Sequence, residues 1–218
     1  AFIDRFDMIC SMIILLHSSK TMRTPTKSSK SLRQPKFLKE AIELDAYLKK
    51  LTPGRIATLM QLSKPMAAKT HLLIADWSAD PTIQTAAIDS FLGDIYSGLQ
   101  VQTLSDKDRA FADQHLYILS GLYGVLRALD GIYPYRFEMG YRPANKKYRD
   151  VYMYWGDKIA RELPHHEPII NISSAEYDRV VLPYVDTSRI IKPKFLTRHT
   201  STGAPTFVTV HAKVARGA

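Results

Sequence analysis

The side chains best suited to chemistry in this sequence are the cations Lys20, Arg136, Lys213 and Arg216, the carboxylates Asp94 and Glu138, and the phenols Tyr96, Tyr123 and Tyr177. Cations can clamp an anion, a carboxylate among them can act as general base, and a phenol can donate a proton or stack on a ring. In Phe91-Leu-Gly-Asp-Ile-Tyr-Ser-Gly-Leu99, Asp94 and Tyr96 share a side if the stretch is extended, between glycines that allow close backbone approach. A site lining and a plain turn with Asp94 capping neighbouring amides fit that pattern equally. In Leu119-Ser-Gly-Leu-Tyr-Gly-Val-Leu126, Gly121 and Gly124 flank a tight bend beside Ser120 and Tyr123. Amides exposed at such a bend can hold a phosphate, as in the turn of a helix-hairpin-helix, although packing explains two glycines as well. Arg136 and Glu138 alternate on one face of an expected strand, where they could simply pair with each other. Asn171, Ser173, Ser174, Glu176 and Tyr177 follow an apolar strand, the usual place for ligand contacts in open αβ sheets, while a serine there could equally cap the next helix. Lys213 and Arg216, three apart, face the same way if helical.

Stricter templates do not match. The seven histidines never fall at four-residue helical spacing with a glutamate between them, and Cys10 is the only cysteine, so no metal site is indicated and no cofactor is expected. Gly93 and Gly98 imitate the glycines of a phosphate loop, but Leu99 and Gln100 stand where Lys and Ser or Thr would contact phosphate and magnesium. No Gly-x-Ser-x-Gly elbow occurs.

The elements that position these residues read as alternating strands and helices. Met12–Leu16 is an apolar strand, followed by a Ser-, Thr- and Lys-rich loop from Ser18 to Pro35. Phe37, Ala41, Leu44, Leu48 and Leu51 form one helical stripe. Thr52-Pro53 and Asp80-Pro81 each place a capping oxygen before proline and predict helix starts. Ser105 and Asp108 form a capping box for a helix running toward Ile118. Tyr152, Trp155, Ile159 and Leu163 define a further helix stopped by Pro164. Strands are expected at Pro168–Ile172, Ile190–Leu196 and Thr206–Ala212, the last in a hairpin turned at Gly203. No repeat or linker interrupts this order, and the residues give a mixed αβ domain.

Composition bounds the rest. With 45% hydrophobic and 23% charged residues, 10 Gly and 12 Pro, disordered, collagenous and low-complexity classes are excluded. The formal net charge of +9 favours anionic partners. From Ser18 to Lys39 there are seven basic residues and no acid, whereas Asp76–Asp130 holds eight Asp against Lys107, Arg109 and Arg127. One positive and one negative face follow, although such runs often do no more than solvate a surface. The longest apolar run, Ile9–Leu16, is too short for the roughly 18 residues a spanning helix needs. Asp4 and Asp7 occupy the place of a signal peptide's basic region, and a lone cysteine suits a reducing compartment, so the cytoplasm is the expected location.

In order along nearly the whole chain, Met12-Ile-Ile-Leu-Leu-His-Ser-Ser-Lys-Thr-Met22, Gly93-Asp-Ile-Tyr-Ser-Gly-Leu-Gln100, Leu119-Ser-Gly-Leu-Tyr-Gly-Val-Leu-Arg-Ala-Leu-Asp130, Pro134-Tyr-Arg-Phe-Glu-Met-Gly140, Asn171-Ile-Ser-Ser-Ala-Glu-Tyr177 and Ala212-Lys-Val-Ala-Arg-Gly217 resemble the YaaA family of bacterial peroxide stress response proteins. The resemblance implies a cytosolic protein that limits peroxide damage by keeping free iron low. It also implies an α+β fold, a single compact domain with a mixed β-sheet surrounded by helices, a positive cleft and a helix-hairpin-helix-like element associated with DNA binding. Residues 1–11 look like an extension without family counterpart. Residues 12–218 form the family domain, expected to lack its C-terminal end. The first motif keeps Lys20 and Thr21 where the family usually has Ser-Pro-Ala-Lys-Thr.

Two uses of the same residues follow. In the leading one, a cleft collecting Lys20, Arg136, Lys213 and Arg216 binds DNA without sequence preference, with Thr21, Ser120, Gly121, Tyr123, Gly124, Asn171, Ser174 and Tyr177 as further contacts. In the alternative, Lys20 and Arg136 clamp a nucleotide-like or other anionic small molecule, Asp94 or Glu138 is general base, and Tyr96, Tyr123 or Tyr177 donates protons or stacks. Direct iron coordination is the weakest option, because no ligand cluster is visible.

Overall fold

The computed structural model describes residues 12–24, 32–143, 149–199 and 201–218; the extension 1–11 and Lys27 and Lys30 of the basic run lie outside them. The apolar run after Met12 forms the central strand Ile13–His17 of a five-stranded sheet. On one side it pairs in parallel with Leu116–Ser120, which pairs antiparallel with the edge strand Gly124–Arg127. On the other it pairs in parallel with Ile169–Asn171, followed by Ile190–Ile191. Four parallel strands therefore end together, and one antiparallel edge strand joins them. Leu15, Ile118, Leu119 and Ile169 are fully buried, and since adjacent strand residues point to opposite faces, both faces of the sheet are covered. One continuous core runs from Ile13 to Val181 and makes this a single compact α+β unit with a mixed sheet.

The helices follow their caps closely. Leu38–Leu48 buries Ala41, Leu44 and Leu48. Thr52 caps Pro53–Met60 by accepting from the Arg55 amide. Ser105 and Asp108 form the full reciprocal capping box of Asp106–His115. Ser63 caps a further helix, Lys64–Asp76, from a Ser-Lys-Pro start with the same logic as Thr52-Pro53.

Several expectations are corrected. The Asp80-Pro81 start gives only the 3-10 turn Pro81–Ile83, because Gln84 is extended and leads into the strand Thr85–Ala86, paired with Gly131–Ile132. The helix begun at Ser105 stops at His115, and Leu116–Ser120 becomes a strand buried at every position. Gly156, at φ +52°, splits the expected helix into Val151–Trp155 and Lys158–Arg161. Pro193 follows closely on a strand confined to Ile190–Ile191. The Gly203 hairpin forms between Thr197–Arg198 and Pro205–Thr206, but Thr209–Gly217 is helical rather than extended. Asp94–Leu99 is also a helix, entered through Gly93 at φ +111°, and 135–140 is irregular rather than a strand. The bend at Gly121–Gly124 joins two antiparallel strands, with Ser120 opposite Gly124, so this stretch is a β-hairpin and not a helix-hairpin-helix.

Among the described residues, no helix is long and apolar enough to cross a membrane.

Candidate functional site

At the carboxyl ends of the parallel strands the chain leaves a cleft of about 400 Å³. The central strand delivers His17 and the following Ser18–Lys20 turn. Gly93 and the start of the helix Asp94–Leu99 form one wall, the loop after Ile169–Asn171 brings Ser174, Glu176 and Tyr177, and Glu138 and Lys213 complete the lining. Such a crevice, where neighbouring strands send their loops apart, is the position expected for ligands in open αβ sheets.

Buried hydrogen bonds fix the interior. The Tyr177 hydroxyl donates to Glu138 Oε2 at 2.6 Å and accepts from Ser18 Oγ at 3.1 Å. The Tyr177 ring stacks on His17 at 5.0 Å between centroids. The Ser174 amide donates to His17 Nδ1 at 3.2 Å, which makes Nδ1 an acceptor and leaves Nε2 to carry the ring proton. Tyr96 donates to the His17 carbonyl at 3.0 Å and so ties the adjacent helix to the strand end.

Charge and burial set the protonation states. Burial lowers the His17 pKa to about 4, and the charges of Arg216 and Lys213 act in the same direction, so the ring is neutral near pH 7. Burial raises the Glu138 carboxyl above its usual range, against the Tyr177 hydrogen bond and the charges of Lys20 and Arg136. Burial and the neighbouring Glu138 push the Tyr177 phenol well up, and burial does the same to Tyr96. Both phenols are therefore proton donors at neutral pH.

The rim depends on a close helix pair. A Cβ on Gly98 would stand 2.1 Å from the Val214 carbonyl oxygen, and one on Gly217 would stand 1.8 Å from that of Ile95. The C-terminal helix is thereby pressed against Asp94–Leu99, and Lys213 lies 3.7 Å from Asp94 at the mouth.

Of the residues singled out in the sequence, Lys20, Asp94, Tyr96, Glu138, Ser174, Tyr177 and Lys213 line the cleft. Arg136 and Arg216 act from nearby, through their charges on Glu138 and His17. Thr21 pairs with Leu92 in a two-residue strand, and its amide donates to Ser19 Oγ. The others build the scaffold. Ser120 Oγ bonds the Tyr135 hydroxyl at 2.6 Å and accepts from the Tyr123 amide. The Tyr123 hydroxyl accepts from Trp77 Nε1 and from the Tyr133 amide. Asn171 donates to Asp178 and accepts from Ser173. Gly121 and Gly124 are buried; a Cβ would meet the Phe137 carbonyl at 2.3 Å and the Trp155 ring at 2.8 Å respectively. Glu176, named with the segment after the strand Ile169–Asn171, also lines the cleft, whereas His17 and Ser18 carry no site expectation from the sequence. The signal that could have found His17 is its place at the carboxyl end of the first apolar strand, the rule already applied to Ser174 and Tyr177.

Among the described residues, no three His, Cys, Asp or Glu side chains come together as a metal site.

Fold and site define an α+β protein with a mixed-charge cleft at the ends of its parallel strands. The family model for peroxide stress protein YaaA matches residues 12–218, and the chain belongs to that family. A UPF0246 protein of Salinispora tropica is 49% identical over 207 residues, 95% of this chain and 79% of the relative. UPF0246 proteins of Burkholderia multivorans and Ralstonia pickettii are each 40% identical, over 217 and 216 residues, covering 94% of this chain and 83% of each relative.

Proposed function

We propose that this peroxide stress protein acts in the cytoplasm by binding the phosphates of DNA at the cleft, without sequence preference, and helps to limit free iron and oxidative DNA damage. The family supplies the peroxide context. The observation that carries the DNA reading is the convergence of Lys20 and Lys213, from opposite ends of the sequence, on one cleft, with Arg216 close enough to depress His17. Cations gathered on one face give affinity through counterion release, and each neutralised phosphate of duplex DNA contributes a slope of about −0.9 in log affinity against log salt. The buried Gly121–Gly124 hairpin takes no part in this reading. Anisotropy with a random duplex between low and moderate salt tests it: Lys20→Ala and Lys213→Ala should each flatten the slope, and the pair together by about 0.9 for each phosphate released. An affinity for duplex that barely responds to salt would overturn it.

One observation favours a second reading, an enzyme acting on an anionic small molecule: the buried Glu138, held by Tyr177 and facing the charge of Lys20, suits a proton acceptor better than a phosphate contact. Asp94 is the poorer base, since it is half-exposed and paired with Lys213. A thermal-shift screen of small anions, repeated on Glu138→Ala, distinguishes the two.

A further inference from the structure

A continuous nucleic-acid strand presents a phosphate on both sides of every sugar, and the cleft is not built to receive two. At about 400 Å³ it falls in the range of roughly 300–1,000 Å³ for pockets that enclose one small ligand. Its cations, Lys20 and Lys213, belong to exposed or half-exposed positions at the mouth, whereas Glu138 and Tyr177 are almost fully buried. Glu176 also lines this cleft, and its charge acts on Glu138 in the same sense as burial does. A phosphate driven inward would meet these two carboxylates. A hydroxyl driven inward would meet a good acceptor, because a carboxylate already oriented by Tyr177 at 2.6 Å can take a second hydrogen bond on its other oxygen.

We infer that the cleft takes a single nucleotide unit with a phosphate on its 5′ side and a free 3′-hydroxyl, the phosphate lying between Lys20 and Lys213 and the hydroxyl donating to Glu138. The inference rests on one part of that reading, that the cleft is a phosphate site, and it adds that Glu138 rejects a strand that continues past the bound sugar. The same chemistry is offered by the 3′ end of a DNA strand and by a free deoxynucleoside 5′-monophosphate. Like charges placed together across a site cost enough to select between partners, and an unmade hydrogen bond to a buried charge is worth about tenfold in affinity.

The test needs no variant to begin. Anisotropy on one duplex sequence carrying 3′-hydroxyl, 3′-dideoxy or 3′-phosphate ends, and on the same sequence closed as a dumbbell, should show the 3′-hydroxyl form bound about tenfold more tightly than the other three. Glu138→Gln, which offers an amide in place of the buried charge, should bring hydroxyl and phosphate ends within about twofold; Lys20→Ala should weaken all four. Equal binding of all four by the wild type overturns the inference and leaves the DNA reading standing. If no duplex binds, the DNA reading fails and thermal shift with dAMP against 2′,3′-dideoxyadenosine 5′-monophosphate decides the inference: stabilisation by dAMP alone upholds it with the free nucleotide as source, and equal or absent shifts overturn it.

Discussion

Gly98 and Val214 meet backbone to backbone, 2.1 Å separating the Val214 oxygen from where a Cβ on Gly98 would stand. Alanine at position 98 must therefore lift the helix Thr209–Gly217 away from Asp94–Leu99. Overpacking of this kind typically costs about 1–3 kcal/mol. The expected outcome for Gly98→Ala is faster amide exchange across Thr209–Gly217 with the sheet still protected, and a flatter salt dependence of DNA binding as Lys213 leaves the cleft. Unchanged exchange in that helix would refute the seating role.

His17 sets an acid limit on stability. Its pKa in the fold is about 4, below its ordinary 6.5, so the unfolded chain takes up the proton first. The contribution is fully present above about pH 6.5 and is lost as pH falls toward 4. Denaturant midpoints should fall across that window, and His17→Asn, whose side-chain oxygen can still accept from the Ser174 amide, should flatten the fall.

Glu138 works with the opposite sign. Its carboxyl titrates above the ordinary value in the fold, so its contribution is fully present below about pH 4.5 and is lost as pH rises through the folded value. Tyr177→Phe removes the hydrogen bond that favours the charged form and moves the folded value higher still. The variant should lose about 1–3 kcal/mol where Glu138 is ionised and much less in acid. A melting-temperature gap that does not widen between pH 4.5 and 8 would contradict this coupling.

At Gly124, φ is +69° and the Trp155 ring lies 2.8 Å from the position of a Cβ. Gly124→Ala should lower the melting temperature and leave the DNA affinity of the folded fraction unchanged, because the hairpin packs into the core. A folded Gly124→Ala protein with selectively lost DNA binding would restore the turn as a phosphate contact.

Local signals were read well from sequence where one residue settles the local hydrogen bonding. Thr52 and Ser105 cap their helices as their spacing with Pro53 and Asp108 requires. The same signal at Asp80-Pro81 yields one turn, since a cap cannot say whether residue 84 continues the helix or pairs with a strand far along the chain. Val208 and Val210 alternate with Thr209 and His211 as a strand would, yet the segment is a helix that buries Ala212 and presses Gly217 against Ile95 and Leu99, and packing overrides propensity. The site was legible in its charged members, which stand out by type. It was not legible at His17, since a histidine ending an apolar strand has the same pattern whether it is core or lining. Arg136 and Glu138 alternate as they would on one strand face, where they could pair with each other; the stretch is irregular instead, and Glu138 is buried against Tyr177, a partner 39 positions away that no local spacing reveals.

Lys20 follows the strand Ile13–His17 and Lys213 sits on the helix Thr209–Gly217, so the cleft takes its two cationic walls from segments far apart in the sequence. During synthesis, the sheet and most of the core can form while that second wall is still inside the ribosome. The cleft is thus completed only after the core around it, and a preparation clipped by protease between the hairpin and this helix should keep its melting behaviour far better than the anion affinity proposed above.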